Sequence, residues 1–268
     1  MSAFLTRFAP SPTGRLHLGH AASALHVWRA AEQAGTQPLL RIEDIDTTRC
    51  RPEYTQGIFE DLAWLGLTWP VPVRVQSQHF AEYAASVAHI ADLGLAYRCF
   101  RTRSDLAGTS PAPLPVGQER DYLDQARPFA WRLSLAAARV HLGSAWNELS
   151  YTLQTGDTAR TVWADPHVHG DIVIARKDSP SAYHLAACHD DALQGITHVI
   201  RGEDLIDAPH IHTLLQVIMD WPQPIYQHHP LVNGPDGKRL SKTDQSVSLA
   251  ALREGGMSVS EIHQRLGF

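Results

Sequence analysis

The sequence predicts an α/β protein built on a parallel sheet and interrupted by an insertion of different character. Short extended runs alternate with helical segments at both ends of the chain, the pattern of βαβ units. Between 97 and 170 that rhythm gives way to proline-rich and short extended stretches. The scale fits: 268 residues, 44% hydrophobic and 19% charged, supply a core for one large domain or two modest ones and exclude a disordered or fibrous chain.

The first extended run is 4–8. A loop punctuated by Pro10, Pro12, Gly14 and Gly19 follows and opens onto an alanine-rich helix over 20–34. Ala21, Ala24, Leu25, Trp28 and Ala31 share one face of it, and Gly35 stands where a C′ glycine belongs. A second strand, 38–42, leads through Glu43-Asp44-Ile45-Asp46 to a helix from Pro52 to about Leu65, with another over 80–93. Within the insertion, 109–115 reads as an extended loop and 131–135, 140–142 and 161–163 as short strands. Alternation resumes with a strand at 171–174, a helix over 183–193 and a strand at 197–201. A helix from Asp207-Ala208-Pro209 to Met219 follows, then two short helices at 249–254 and 258–266. The chain therefore divides into 1–96, the first half of a nucleotide-binding domain; 97–170, the insertion; 171–245, the second half; and 246–268, a short helical end.

A formal charge of −5 excludes a generally basic nucleic-acid coat and leaves room for a basic patch. Residues 97–140 hold seven arginines against four acids, net +3, which leaves −8 for the rest of the chain. That stretch suits an RNA-facing surface, or equally a solvated polar loop. Cys50, Cys99 and Cys188 lie far apart with no CxxC, so no disulfide framework is expected and a reducing cytoplasm is the expected compartment. No signal-peptide pattern and no run of about 18 apolar residues is visible, so the expected protein is neither exported nor membrane-spanning.

Two constellations carry chemistry. In Arg7-Phe8-Ala9-Pro10-Ser11-Pro12-Thr13-Gly14-Arg15-Leu16-His17-Leu18-Gly19-His20, glycines permit close backbone approach, a helix N-terminus attracts phosphate, and two histidines three apart can reach one anion. The spacing is neither GxGxxG nor a P-loop. In Asp236-Gly237-Lys238-Arg239-Leu240-Ser241-Lys242, two of the three lysines of the chain fall in one turn. Such a turn can meet a triphosphate, or it can be solvated surface.

Five segments in order, RFAPSPTGRLHLGH, RIEDID at 41–46, YHLA at 183–186, VIRGED at 199–204 and KRLSK at 238–242, resemble the class I glutamyl-tRNA synthetases over about residues 5–245. HLGH corresponds to the HIGH motif and KRLSK to the KMSKS loop. The resemblance implies a Rossmann-like parallel sheet of class I aminoacyl-tRNA synthetases with an inserted α+β subdomain and a short helical C-terminus. Only 26 residues follow Lys242, too few for the helical anticodon-binding region of the full-length enzymes. This layout is similar to the glutamyl-queuosine tRNA(Asp) synthetases, which attach glutamate to queuosine in the anticodon loop. The implied partners are L-glutamate, ATP with Mg²⁺ as substrate and tRNA(Asp) carrying queuosine, and the expected state is a monomer.

The same resemblance implies that Arg7, Tyr183 and Arg201 surround glutamate, that Glu43 meets its ammonium, and that the backbone of Phe8, Ala9, Pro10 and Ser11 lines the pocket. Arginine suits carboxylates bidentately, and tyrosine adds an uncharged donor. Each residue also has an ordinary role open to it: a helix-capping acid, a packed ring, an ion-pair arginine. His17, Gly19, His20, Lys238, Ser241 and Lys242 are expected around ATP, with His17, His20 and Lys242 acting on the phosphates. Where relatives hold zinc through CxC and YxxxC, this chain keeps only Cys99 and Tyr122, so zinc is not expected. His167/His169, His210/His212 and His228-His229 are possible metal pairs, although pairs also arise by chance among sixteen histidines. Two competing readings remain: a minimal glutamyl-tRNA synthetase charging the 3′ end of tRNA(Glu), and a non-catalytic nucleotide-binding regulator.

Overall fold

The computed structural model describes residues 3–102, 104–106, 110–232 and 247–268. The chain opens with β1 (Arg7–Phe8), α1 (Leu18–Gln33), β2 (Leu39–Ile42), α2 (Pro52–Trp64), β3 (Arg74–Val75) and α3 (Phe80–Asp92). It continues through β4 (Ala96–Cys99), α4 (Val116–Asp124), β5 (Ala130–Leu133), α5 (Leu135–Leu142), β6 (Ser150–Thr155), β7 (Thr158–Trp163) and β8 (Val173–Ala175). It closes with α6 (Tyr183–Leu193), β9 (His198–Gly202), α7 (Ala208–Ile218), β10 (Ile225–His229), α8 (Leu249–Glu254) and α9 (Val259–Leu266).

β1, β2 and β3 pair in parallel in that order, each connection long enough to carry a crossover helix. β9, β10 and β6 form a second parallel set, with β7 returning antiparallel on the outside. The two sets meet at β1. The Leu5 carbonyl accepts hydrogen bonds from the Thr197 and His198 amides, so β9 lies beside β1 and both strands enter from the same end. The spatial order runs 3-2-1-9-10, and strand order reverses between β1 and β9. In open α/β sheets that reversal leaves a crevice at the carboxyl ends of the strands, which is where ligands bind. β4, β5 and β8 form a small antiparallel sheet, packed with α3, α5, α6 and α7 around Leu133, Ile174, Leu185 and Leu214. A second core lies between α1, α2, α8, α9 and the first strands, around Leu25, Leu40, Ile58, Leu62 and Ile262. Among the described residues, no helix is long and apolar enough to cross a membrane.

The alternating elements fall where spacing predicts them, and Gly35 adopts φ +68° just after α1. The strand expected at 140–142 is instead the last turn of α5. Ser134 caps that helix through the Ala137 amide, three alanines propagate it, and the β-branched Val140 points to solvent at 83% exposure. The spacing marks none of β3, β4, α4, β6 and β10. The β6–β7 hairpin, drawn from within 97–170, joins the β9–β10 sheet.

Charge holds the interrupted halves together. Asp190, fully buried on α6, accepts hydrogen bonds from Arg74 Nε at 2.8 Å, Gln76 Nε2 at 2.8 Å and the Tyr83 hydroxyl, with Arg41 Nε at 3.7 Å. Asp191 takes Arg7 Nε and Arg41 Nη1, each at 2.8 Å. Removing one member of such a cluster strands the others in low dielectric. Asp190→Ala is therefore expected to cost about 3–5 kcal/mol in urea unfolding, with Asp190→Asn milder. Burial raises the pKa of both aspartates and the surrounding donors and arginines outweigh it, holding both below the ordinary 3.8. Their contribution is therefore complete above about pH 4 and lost as pH falls through the depressed values, a loss that urea midpoints measured across the acid range should show and that Asp190→Asn should flatten.

Candidate active site

The loops that leave β1 and β2 are stitched into one wall of the crevice: the Glu43 amide donates to the Pro10 carbonyl at 3.0 Å and the Arg51 amide to Pro12 at 3.1 Å. Phe8 turns its ring into the core against Trp28, so only its backbone is available to the crevice. Ala9 is half-buried, Pro10 is buried, and exposed Ser11 places its hydroxyl 3.7 Å from Cys50 Sγ.

The HLGH segment begins α1 in an unusual way. His17 is the N-cap, and its Nδ1 accepts from the Gly19 amide at 3.1 Å. His20 Nδ1 accepts in turn from the His17 amide at 3.1 Å, completing a capping box made of two histidines. An accepting Nδ1 places the imidazole proton on Nε2, so both rings carry an oriented N–H at a helix N-terminus, their centroids 3.9 Å apart. The glycine between them is required for room: a Cβ on Gly19 would lie 2.9 Å from His17 Cε1. The helix starts two residues earlier than the alanine pattern indicates because the cap is histidine and not Ser, Thr, Asp or Asn.

Arg7 spends Nε and Nη2 on Asp191. Glu43 receives both of its bonds from Arg41, at 3.0 and 3.3 Å, on Oε1 alone, and Oε2 takes neither. Burial pushes the Glu43 carboxyl above its usual pKa, against the pull of Arg41 and Arg7. A buried carboxylate so incompletely compensated is suited to receive one more cation. Arg201 is the opposite case. It is 6% exposed at the end of β9, with Nε 3.4 Å from His228 Nε2 and the guanidinium 5.2 Å from the Tyr226 ring centroid, and its Nη1 and Nη2 are buried with no hydrogen-bond partner among the described residues. Tyr183 starts α6 close to all of them: burial raises its hydroxyl pKa, Arg201 and Arg7 oppose that rise, and Glu43 and Asp191 add to it. Arg7, Glu43, Tyr183 and Arg201 thus converge from four elements far apart in sequence.

The histidines around Arg201 are neutral. Burial lowers His228 to about 4, with Arg201 adding to the shift, and lowers His212 well below its usual value. His184, also lowered to about 4, shares a hydrogen bond with His212 at 3.1 Å. The candidate metal pairs are spoken for separately: His169 bonds the Asp207 carbonyl, His210 the Asp165 amide and His229 Ser23, and no group of three or more metal-ligating side chains occurs among the described residues. Sequence reasoning missed Arg41, Asp190 and Asp191. Arg41 could have been found as the residue two before Glu43, which shares its side of an extended strand.

Lys238, Ser241 and Lys242 lie outside the described residues. The chain on either side is anchored at the crevice: Leu231 packs so closely on Gly202 that a Cβ there would lie 2.9 Å from Leu231 Cδ2, and Ser248 bridges to His17 while the Leu249 amide bonds the Leu16 carbonyl.

The family of class I tRNA synthetases (E and Q), catalytic domain, matches residues 3–262. The chain belongs to this family. It is 38% identical to the glutamyl-Q tRNA(Asp) synthetase of Rhodobacter capsulatus over 98% of this chain and 99% of that protein. It is likewise 38% identical to the glutamate–tRNA ligase of a Synechococcus strain, over 93% of this chain but 53% of that protein. Among solved structures, a glutamate tRNA ligase from Elizabethkingia meningosepticum in complex with its amino acid superposes with a TM-score of 0.71 at 29% identity, covering 91% of this chain and 52% of that one.

The zinc-site remnant in this class I synthetase chain does not fit a tetrahedral metal. Cys99 is buried in β4; the Tyr122 hydroxyl accepts from Gln118, and the Arg127 guanidinium covers the Tyr122 ring at 4.0 Å, a cation where a dication would need anionic ligands. The histidine cap gives a sharper expectation. Gly19→Ala should displace the His17 ring, cost about 1 kcal/mol of stability and raise the KM for ATP in pyrophosphate exchange, with the KM for glutamate little changed.

Proposed function

We propose that the chain activates L-glutamate with ATP to glutamyl-adenylate and transfers it to queuosine in the anticodon loop of tRNA(Asp), acting as a monomer in the cytoplasm. The observation that carries the glutamate reading is Arg201: a buried guanidinium with two unpartnered nitrogens is an anion receptor, and a carboxylate supplies the missing planar acceptor. Glu43, with Oε2 outside the Arg41 pair, receives the ammonium. Arg7 and Tyr183 flank the ligand, and the backbone of Phe8, Ala9, Pro10 and Ser11 lines it. The choice of queuosine over a 3′ end rests on likeness to the glutamyl-Q relatives, one of which matches along 99% of its length.

In this reading the α-carboxylate oxygen of glutamate attacks the α-phosphorus of ATP, and the bond to pyrophosphate breaks. The step needs positioning and charge stabilisation more than proton transfer. His17 and His20 present Nε2–H donors to the phosphates beside the Gly19 backbone. Lys238, Ser241 and Lys242 meet the pyrophosphate, and Mg²⁺ arrives with ATP. A hydroxyl of the queuosine cyclopentene ring then attacks the adenylate carbonyl and releases AMP.

Arg201→Met should remove glutamate binding by about 100-fold or more, since a charged hydrogen bond contributes roughly 1.5–3 kcal/mol. It should also leave the ligand-free protein as stable or more stable, because an unpaired buried charge is gone. Calorimetric binding and thermal unfolding measured together separate those effects. Lys242→Ala should lose most pyrophosphate exchange while still binding glutamate; near-normal exchange would refute its role. The decisive experiment maps labelled glutamate on queuosine-containing tRNA(Asp) against tRNA(Glu), and label at the 3′ end of tRNA(Glu) alone would overturn the substrate assignment.

A further inference from the structure

A groove of about 690 Å³ lies outside the crevice, between α3, the end of α4 and the loop after β8. Its floor is apolar, from Ala84, Val87 and Ala88, and Phe129 and Trp131 stand in one wall as half-buried rings in edge-to-face contact, centroids 5.6 Å apart. Two exposed cations stand on its rim. Arg127 stacks on Tyr122, and Lys177 donates to the Phe100 carbonyl at 2.8 Å. Neither forms an ion pair among the described residues, and Lys177 feels Asp105 only at longer range. Arg176 holds Asp178 through two bonds and Asp46 through a third, and Arg98 pairs with Glu119. Net positive charge on the rim of an aromatic groove, in a chain of net charge −5, is the combination that receives unpaired nucleotides: bases stack on rings and phosphates meet cations.

The position of the groove connects it to the site. Its far wall is the 176–180 loop, which runs directly into Tyr183. That loop is fixed to the segment after Glu43 by the Arg176–Asp46 pair and by the Ser179 hydroxyl on the Ile45 carbonyl. We propose that this groove holds one or two unpaired nucleotides of the RNA substrate, neighbours of the nucleotide that receives glutamate, with Arg127 and Lys177 on their phosphates and Phe129 and Trp131 beside their bases. The volume and the aromatic wall suit splayed single-stranded nucleotides and not a duplex. The inference rests on the RNA-modifying reading above and adds to it a surface.

The test uses the full-length protein with queuosine-containing tRNA(Asp) and its isolated anticodon stem-loop, binding being read by fluorescence anisotropy across a salt series. The Arg127→Gln, Lys177→Gln double variant should bind about tenfold or more weakly at ~0.1 M salt, and its slope of log K against log salt should shrink by about 2. Phe129→Leu, which removes a stacking face but keeps apolar volume, should weaken binding without changing the slope. Thermal midpoint and tRNA-independent pyrophosphate exchange should stay at wild-type values in all variants. Wild-type affinity and slope in both variants, or no RNA binding by the wild-type protein, overturns the proposal. Because binding is read apart from transfer, the two readings fail separately. Transfer to queuosine with unimpaired variants sinks the groove alone, and groove-dependent binding without transfer to queuosine sinks the substrate assignment alone.

Discussion

Three arginines on three adjacent strands converge on two consecutive aspartates of one helix, and the rest of the molecule is arranged around that contact. Arg7 on β1, Arg41 on β2 and Arg74 on β3 reach Asp191 and Asp190 on α6, across 116 to 184 residues of chain. The insertion separates the halves of the parallel sheet in sequence, so no local signal can bring them together. A charge cluster with fixed partners supplies orientation that apolar packing alone would not. Buried ion pairs add little net stability because desolvation offsets their attraction, and here their value lies in register. Seven residues separate Tyr183 from Asp190, about two helical turns or 10 Å along α6, so the contact that fixes the helix also fixes where its first residue stands.

The same contact sets the electrostatics of the crevice. Arg7, Arg41 and Arg74 are matched by Glu43, Asp190, Asp191 and the half-exposed Glu82, so none of the three arginines in this cluster has charge to spare. Arg201 remains outside it, surrounded by Tyr226 and by imidazoles that burial keeps uncharged. Arg201 has no carboxylate partner among the described residues. Free glutamate, with two carboxylates and one ammonium, carries one surplus negative charge. In the proposed reading, a ligand that places no carboxylate at Arg201 would leave that guanidinium buried without a counter-ion, and that penalty would discriminate more than any added attraction.

Much of this was readable from sequence and some was not, and the dividing line is distance along the chain. Local rules placed α1, α2, α3, α6 and α7 and the strands β1, β2, β8 and β9, because spacing and cap residues act within a few positions. They misplaced 140–142, where a β-branched residue on an exposed helix face imitates a strand. Tyr183 and Arg201 were reachable only through the resemblance of YHLA and VIRGED to a family, since nothing in either segment reveals a neighbour 18 to 194 residues away. Asp190 and Asp191 escaped notice because two acids in a helix read as a solvated face, although the surrounding Ala186, Ala187 and Cys188 are buried.

The proposed phosphate end of the site obeys the opposite rule. The Nδ1 atoms of His17 and His20 are engaged by amides two and three residues away, so the cap forms where α1 begins. Donors fixed in that way need no reorganisation when negative charge develops on a phosphate, and reorganisation is the cost that preorganised sites avoid. The proposed glutamate site, by contrast, exists only after the two sheet halves have closed on α6. In the proposed reading the molecule combines a phosphate-binding element carried by one short segment with an amino-acid site assembled by tertiary structure. A substitution that loosens the Arg7–Asp191 contact should therefore act on glutamate before it acts on ATP, because β1 and α6 form walls of the proposed glutamate site while the Nδ1 atoms of the histidine cap are engaged by nearby amides.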